Sequence, residues 1–201
     1  MLSNRFTRVA LVGGAIAMAA CAKEKTTTTD SAAGAMTPTD SSAMAPAAAP
    51  AMTDANIVAY LDAANAGDSA GGKLASTKGT DKDVQAFGKM MMGEHHALRV
   101  AGQDFAKKAN ITPAPAASDT TKAQLEHALA TLNSTAKGAA FDKAYIDGEV
   151  AVHQSVLDNA KAAHDATQNA DLKKLLETAT PIIQKHLDRA QEIQKKLAPA
   201  T

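Results

Sequence analysis

From Thr53 onward, apolar side chains recur at intervals of three and four, and nowhere does a period of two persist long enough to build a strand. The pattern predicts four long helices and one short one. The first takes Thr53 as its N-cap and runs to about Lys78, with Ile57, Leu61, Ala64, Asp68, Gly71 and Leu74 or Ala75 on one face. The second begins at Thr80, where Thr80 and Asp83 are spaced as a capping box. It continues to about Lys108, with Val84, Phe87, Met91, His95, Leu98, Gly102 and Phe105 inward. Pro113 and Pro115 break the chain between Asn110 and Ala117. A short helix follows from Ser118 to about Ala136, carrying Leu125, Leu129 and Leu132, and Gly138 ends it. The fourth helix spans about Ala139 to Ala166, and the fifth runs from Asn169 to about Leu197 with Leu172, Ile183, His186 and Ile193 in its inward row.

Two local features qualify this pattern. Gly67, Gly71 and Gly72 each cost a helix about 1 kcal/mol relative to alanine, so they predict a kink or a close approach of a neighbouring helix. Pro181 lacks a backbone donor and clashes with the preceding turn, which predicts a kink about one turn before His186. Two helical hairpins separated by a loop and a short helix describe an all-α domain. Their order is that of a ferritin-like four-helix bundle with an extra short helix in the crossover.

The sequence before Thr53 is of another kind. Arg5 and Arg8 precede an apolar run from Val9 to Ala17 that ends in Met18-Ala19-Ala20-Cys21. This reads as a secretory signal over residues 1–20. The run is roughly half the ~20 residues a spanning helix needs, and Lys23, Glu24 and Lys25 follow at once. Residues 21–52 are Thr, Ser, Ala, Pro and Met with scattered charges, too poor in apolar surface to offset the entropy of ordering, and read as a flexible tether. The folded domain is then 53–198. Cys21 is the only cysteine, so no intramolecular disulfide is available. Its setting resembles the lipobox of bacterial lipoproteins, which implies that Cys21 is lipidated and anchors the protein to a membrane. Ala22 after it resembles an outer-membrane sorting signal, which implies an outer-membrane lipoprotein facing the periplasm.

Charge excludes one large class of partner. Without Arg5 and Arg8 the chain has 19 basic and 21 acidic residues, and no basic stripe is present to neutralise phosphates, so nucleic acid is not a partner. No nucleophile motif, phosphate loop or dinucleotide fingerprint occurs.

The candidate chemistry lies in histidines. His95, His153 and His186 fall on the apolar faces of three different helices near mid-height, accompanied by Glu94, by Glu149 one turn before His153, and by Asp68 in the first helix. Imidazole and carboxylate together suit a divalent metal such as zinc, iron or manganese. The same residues could instead form a hydrogen-bonded polar layer that fixes helix register. The Glu-x-x-His spacing of di-iron bundles is absent, and Glu94 and His95 diverge by about 100 degrees, so only one of them points fully inward. His96, His127 and His164 read as solvated, Tyr60 and Tyr145 as core-edge residues, and Asp142 as a helix-dipole partner.

Four stretches carry a family resemblance: Met90 to His95 (MMMGEH), Phe141 to Ile146 (FDKAYI), Glu149 to His153 (EVAVH) and Pro181 to Leu187 (PIIQKHL). Together they resemble the bacterial family named for domain of unknown function 4142. The resemblance covers about Asp54 to Leu197. It implies an exported, often lipid-anchored protein with a ferritin-like helical domain, and no settled biochemical role. The expected protein is an envelope lipoprotein displaying a binding or protective module rather than an enzyme. The alternatives are a metal-dependent oxidoreductase using the histidine cluster, or a metal-free scaffold for a protein partner.

Overall fold

A computed structural model describes residues 52–198. Residues 1–20, read above as a secretory signal, Cys21 and all of the expected tether except Met52 lie outside the described residues. Those described form five α-helices and no strand: α1 (Asp54–Lys78), α2 (Lys82–Lys108), α3 (Thr121–Ser134), α4 (Ala139–Ala166) and α5 (Ala170–Leu197). None of these helices is long and apolar enough to cross a membrane.

Local chemistry sets most of the boundaries. The Thr53 hydroxyl accepts from the Asn56 backbone N–H at 3.2 Å and the Asn56 side chain accepts from the Thr53 N–H at 3.1 Å, a reciprocal cap that starts α1. Asn169 caps α5 by accepting from Asp171 and Leu172. The start of α2 differs from the sequence expectation. Its N-cap is Asp81, whose carboxylate accepts from Asp83 and Val84, because Thr80 is engaged elsewhere. The Thr80 N–H and hydroxyl and the Asp81 N–H all donate to Asp142, at 2.9, 2.5 and 2.8 Å. Asp142 is therefore more than a partner for a helix dipole. It is buried, and it ties the start of α4 to the turn between α1 and α2. α3 is shorter than expected, since Asp119 takes the Thr121 N–H at its start and Thr135 turns extended at its end.

The four long helices close a ring of neighbours, α1 against α2, α2 against α5, α5 against α4 and α4 against α1. Facing pairs run antiparallel. Ile57 near the start of α1 packs with Ala160 and Ala163 near the end of α4, while Lys78 at the end of α1 lies over Phe141 at the start of α4. The segment between α2 and α4 runs back along α1. Asn56 donates to the Ala114 carbonyl at 2.8 Å and Lys78 to the Leu132 carbonyl at 3.1 Å, and α3 packs on α1 between those points.

The α1 glycines serve close approach. A β-carbon on Gly72 would stand 2.6 Å from the Gly88 carbonyl oxygen, and one on Gly88 would stand 2.7 Å from that of Gly72, so α1 and α2 touch backbone to backbone. Gly67 instead admits a side chain, the Leu125 methyl carbons of α3, which would stand 2.9 Å from a β-carbon there. α5 continues from Ala170 to Leu197 through Pro181.

Two apolar layers fill one end and the middle of the core. Ala75, Val84, Phe87, Met91, Phe141, Tyr145, Ile146, Ala190 and Ile193 form one, and Ala64, Val156 and Ile183 lie further along the helices. The buried polar residues of the helices' middle stretch lie between these layers, with Leu187 and the α1 glycines beside them.

Candidate functional site

The polar layer takes one or more residues from each long helix: Asn65 and Asp68 from α1, Glu94 and His95 from α2, Glu149 and His153 from α4, and His186 from α5. Each histidine sits at mid-helix on a face whose neighbours one turn away are buried, Met91 before His95, Glu149 before His153 and Ile183 before His186. The three rings are 0–1 % exposed, and their centroids lie 4.9 Å apart for His95 and His186, 5.4 Å for His95 and His153, and 5.5 Å for His153 and His186.

The outer nitrogen of each ring has an acceptor. His95 Nδ1–H donates to Asn65 Oδ1 at 2.8 Å; the amide is oriented this way because its own NH2 donates to the Leu61 carbonyl at 2.7 Å. His153 Nδ1–H donates to the Glu149 backbone carbonyl at 2.9 Å. His186 Nε2–H donates to Glu94 Oε2 at 2.9 Å. Each neutral imidazole carries one ring proton, so these bonds leave the inner nitrogens bare. His95 Nε2 stands 3.3 Å from His153 Nε2 and 3.1 Å from His186 Nδ1. Three lone pairs thus face one another across a space that contains no donor.

Double protonation does not supply one. Burial, aided by His153 and His186, drives His95 down to about 2, and burial drives His153 down to about 4. His186 is also lowered by burial, against the opposing pull of Glu94. Glu94 is itself lowered: burial would raise it, but the hydrogen bond from His186 and the nearby Lys185 ammonium outweigh that. Each ring also has a carboxylate behind it. Glu94 bonds His186, Glu149 Oε2 lies 3.3 Å from His153 Nδ1, and Asp68 Oδ2 lies 3.6 Å from His95 Nδ1.

All six sequence-predicted residues meet in this layer. Glu94 and His95 divide as expected, His95 fully inside and the Glu94 side chain 37 % exposed, yet Glu94 still reaches His186 because the glutamate stem is long enough to curl over the α2–α5 seam. Asn65 was not anticipated, and Tyr145 was expected at the core edge. Asn65 precedes Asp68 by three and Tyr145 precedes Glu149 by four, spacings that place each on the same face as its partner. Tyr145 is buried, not at the core edge. Its hydroxyl lies by the Glu149 carboxyl, close enough for each to shift the other, but neither the hydroxyl nor Glu149 Oε2 makes a well-formed hydrogen bond. His96 and His127 are exposed, and His164 is half-buried against Glu177 at the surface.

The buried groups set a pH dependence for the metal-free protein. Asp68 is raised by burial to about 7 from 3.8, and Glu149 is raised well above its ordinary value by burial and the Asp68 charge. The histidines bind fewer protons folded than unfolded, so stability falls as pH drops from 6.5 through about 4. Asp68 binds more protons folded, so its contribution is complete below 3.8 and is lost as pH rises through about 7. The two trends oppose each other between about 4 and 6.5. Above that range only the carboxylates act. In chelator, the melting temperature should decrease from about pH 6.5 to about pH 8.5, and an increase over that interval would contradict the burial of neutral Asp68 and Glu149.

Two sets of these groups bring ligand atoms within 4.8 Å of one another and could hold a metal ion, His95 with His153 and His186, and Asp68 with Glu149 and His153. No curated protein and no solved structure matches the chain. A family model does match, over residues 39–193, and is described as a domain of unknown function, DUF4142. The match takes in all of α1 to α4 and α5 as far as Ile193, and the chain belongs to the DUF4142 family.

Proposed function

We propose that this protein is a cell-envelope lipoprotein whose helical domain binds a divalent transition metal in a three-histidine centre, acting as a binding or protective module. The observation that carries the reading is the trio of inward ring nitrogens whose outer partners are all acceptors, which assigns every ring proton to the outer side. Neighbouring bare nitrogens at 3.1 and 3.3 Å repel each other unless a cation lies between. A tetrahedral zinc with bonds of about 2.0–2.1 Å spaces its nitrogen ligands at about 3.3 Å, and three histidines leave a fourth position open. Outer N–H groups held by acceptors are what metal-ligating histidines need to fix tautomer and orientation. A polar layer serving only helix register would place a donor against each acceptor, and here none faces the inner nitrogens.

The ring of antiparallel long helices, with α3 in the connection that runs back along α1, supports a ferritin-like four-helix arrangement. Half-exposed Glu94, paired with Lys185 at 3.4 Å, marks the side from which an ion enters. Zinc fits the spacing best, and iron or manganese fits the donor set. Protein expressed to the periplasm without an affinity tag and purified without chelator should contain one equivalent of metal per chain; stoichiometrically metal-free protein that also fails to bind added zinc would overturn the reading.

The envelope assignment rests on the sequence around Cys21. Cys21 is expected to be the acylated first residue of the mature chain, anchored in the outer membrane and facing the periplasm. Mass spectrometry of membrane-extracted protein should show loss of residues 1–20 and added lipid. Cys21→Ser should free the domain into the soluble fraction without lowering its melting temperature. Membrane retention of that variant would count against the anchor.

A further inference from the structure

We propose that Asp68 and Glu149 form a second cation subsite beside the three histidines, taking an oxygen-preferring divalent ion of the manganese or iron(II) class, so that the loaded domain holds two ions. This rests on the three-histidine reading for its neighbour, although the residues that carry it are different. Asp68, Glu149 and His153 each bring a ligand atom within 4.8 Å of the other two. Two buried oxygens at this place, Glu149 Oε2 and the Tyr145 hydroxyl, lie close enough to influence each other yet neither makes a well-formed hydrogen bond to any described residue. Buried polar atoms are ordinarily fully satisfied, and two neighbouring oxygens without a well-formed bond mark a place where a ligand completes the coordination.

Charge argues in the same direction. Among the described residues, the ion-pair partners of Asp68 and Glu149 are only the rings of His95 and His153, so no lysine or arginine balances them. A divalent ion supplies the positive charge that both groups need once they give up their protons to become ligands. Oxygen donors from two carboxylates and a phenol suit a hard cation, whereas the three imidazoles next to them suit zinc, so the two places differ in preference. Gly71 lies against this subsite: a β-carbon there would stand 3.5 Å from Glu149 Oε1 and 3.6 Å from a Tyr145 ring carbon. His153 lies between the two places. Its Nε2 faces the other histidines, and its Nδ1–H edge, held by the Glu149 carbonyl, faces the Glu149 carboxylate.

The test uses the mature full-length chain, stripped of metal, loaded with one equivalent of zinc, and then titrated with manganese(II) while the paramagnetic resonance signal of free manganese is followed. One manganese per chain should bind the zinc-loaded wild type. Glu149→Gln and Asp68→Asn should each abolish that binding while retaining the zinc, and Tyr145→Phe should weaken it by about tenfold or more. His186→Ala should lose zinc and keep manganese. Absence of manganese binding by zinc-loaded wild type, with zinc still bound at one equivalent, overturns the second subsite and leaves the three-histidine centre standing. Manganese binding without zinc binding does the reverse. If Glu149→Gln fails to fold by circular dichroism, Asp68→Asn and Tyr145→Phe decide the matter, and manganese binding unchanged in both overturns the proposal.

Discussion

Replacing His186 with alanine is expected to abolish tight zinc binding and, with it, all zinc-dependent stabilisation of the fold. A ligand that binds only the native state at a free concentration of 100 times its Kd stabilises by about 2.7 kcal/mol. For a domain of this size that corresponds to roughly 5–10 °C in Tm. Wild type should show that rise on adding zinc to chelator-stripped protein, and His186→Ala should show none. The metal-free variant should lose less. Its missing ring leaves a cavity, but Glu94 is half-exposed and can turn to water, and removing one ring relieves the lone-pair contact with His95 at 3.1 Å. The discriminating quantity is the difference between the two melts for each protein. If His186→Ala lowers Tm by the same amount with and without zinc, the residue belongs to a polar layer and the metal reading fails for it.

That six scattered residues could be assigned to one layer from sequence reflects how regular a helix is. With a fixed rise per residue, similar helix lengths and short hairpin turns, Asp68, His95, His153 and His186 were placed at one height before any coordinates. Helix existence was legible for the same reason, since an apolar row at intervals of three and four has no other economical explanation. Which nitrogen each ring turns inward was not legible. It is decided by Asn65, the Glu149 carbonyl and Glu94, two of which contact a ring from another helix and depend on rotation about the helix axis. The start of α2 was misplaced because Thr80 satisfied the local rule for an N-cap while a residue 62 positions away, Asp142, took its hydroxyl. Tyr145 was assigned to the core edge because a hydroxyl ordinarily reaches for water or a partner. Its burial beside Glu149 is a property of the site and not of the helix.

The largest effect on stability is expected from a single methyl group on Gly72. In a helix interior alanine is favoured over glycine by about 1 kcal/mol, so at Gly71 and Gly72 alike propensity alone predicts stabilisation. Contacts separate the two. At Gly71 the nearest atoms to a new β-carbon are side-chain atoms at 3.5 and 3.6 Å, ordinary packing distance, and Gly71→Ala should be neutral or stabilising by up to about 1 kcal/mol. At Gly72 they are the Gly88 carbonyl oxygen at 2.6 Å and the Met92 backbone nitrogen at 2.7 Å, which no rotamer change can move. α2 must shift away from α1 as a body, and Gly72→Ala should cost about 3 kcal/mol net, at the upper end for overpacking. Urea unfolding should show the midpoint falling for Gly72→Ala and not for Gly71→Ala, at unchanged slope. The shift also carries His95 away from Asn65 and Asp68, which sit within one helical turn of Gly72 or the next, so zinc affinity should fall with stability in the Gly72 variant. Equal midpoints for the two alanine variants would mean that α1 and α2 do not touch backbone to backbone, and the placement of His95 against α1 would fall with that contact.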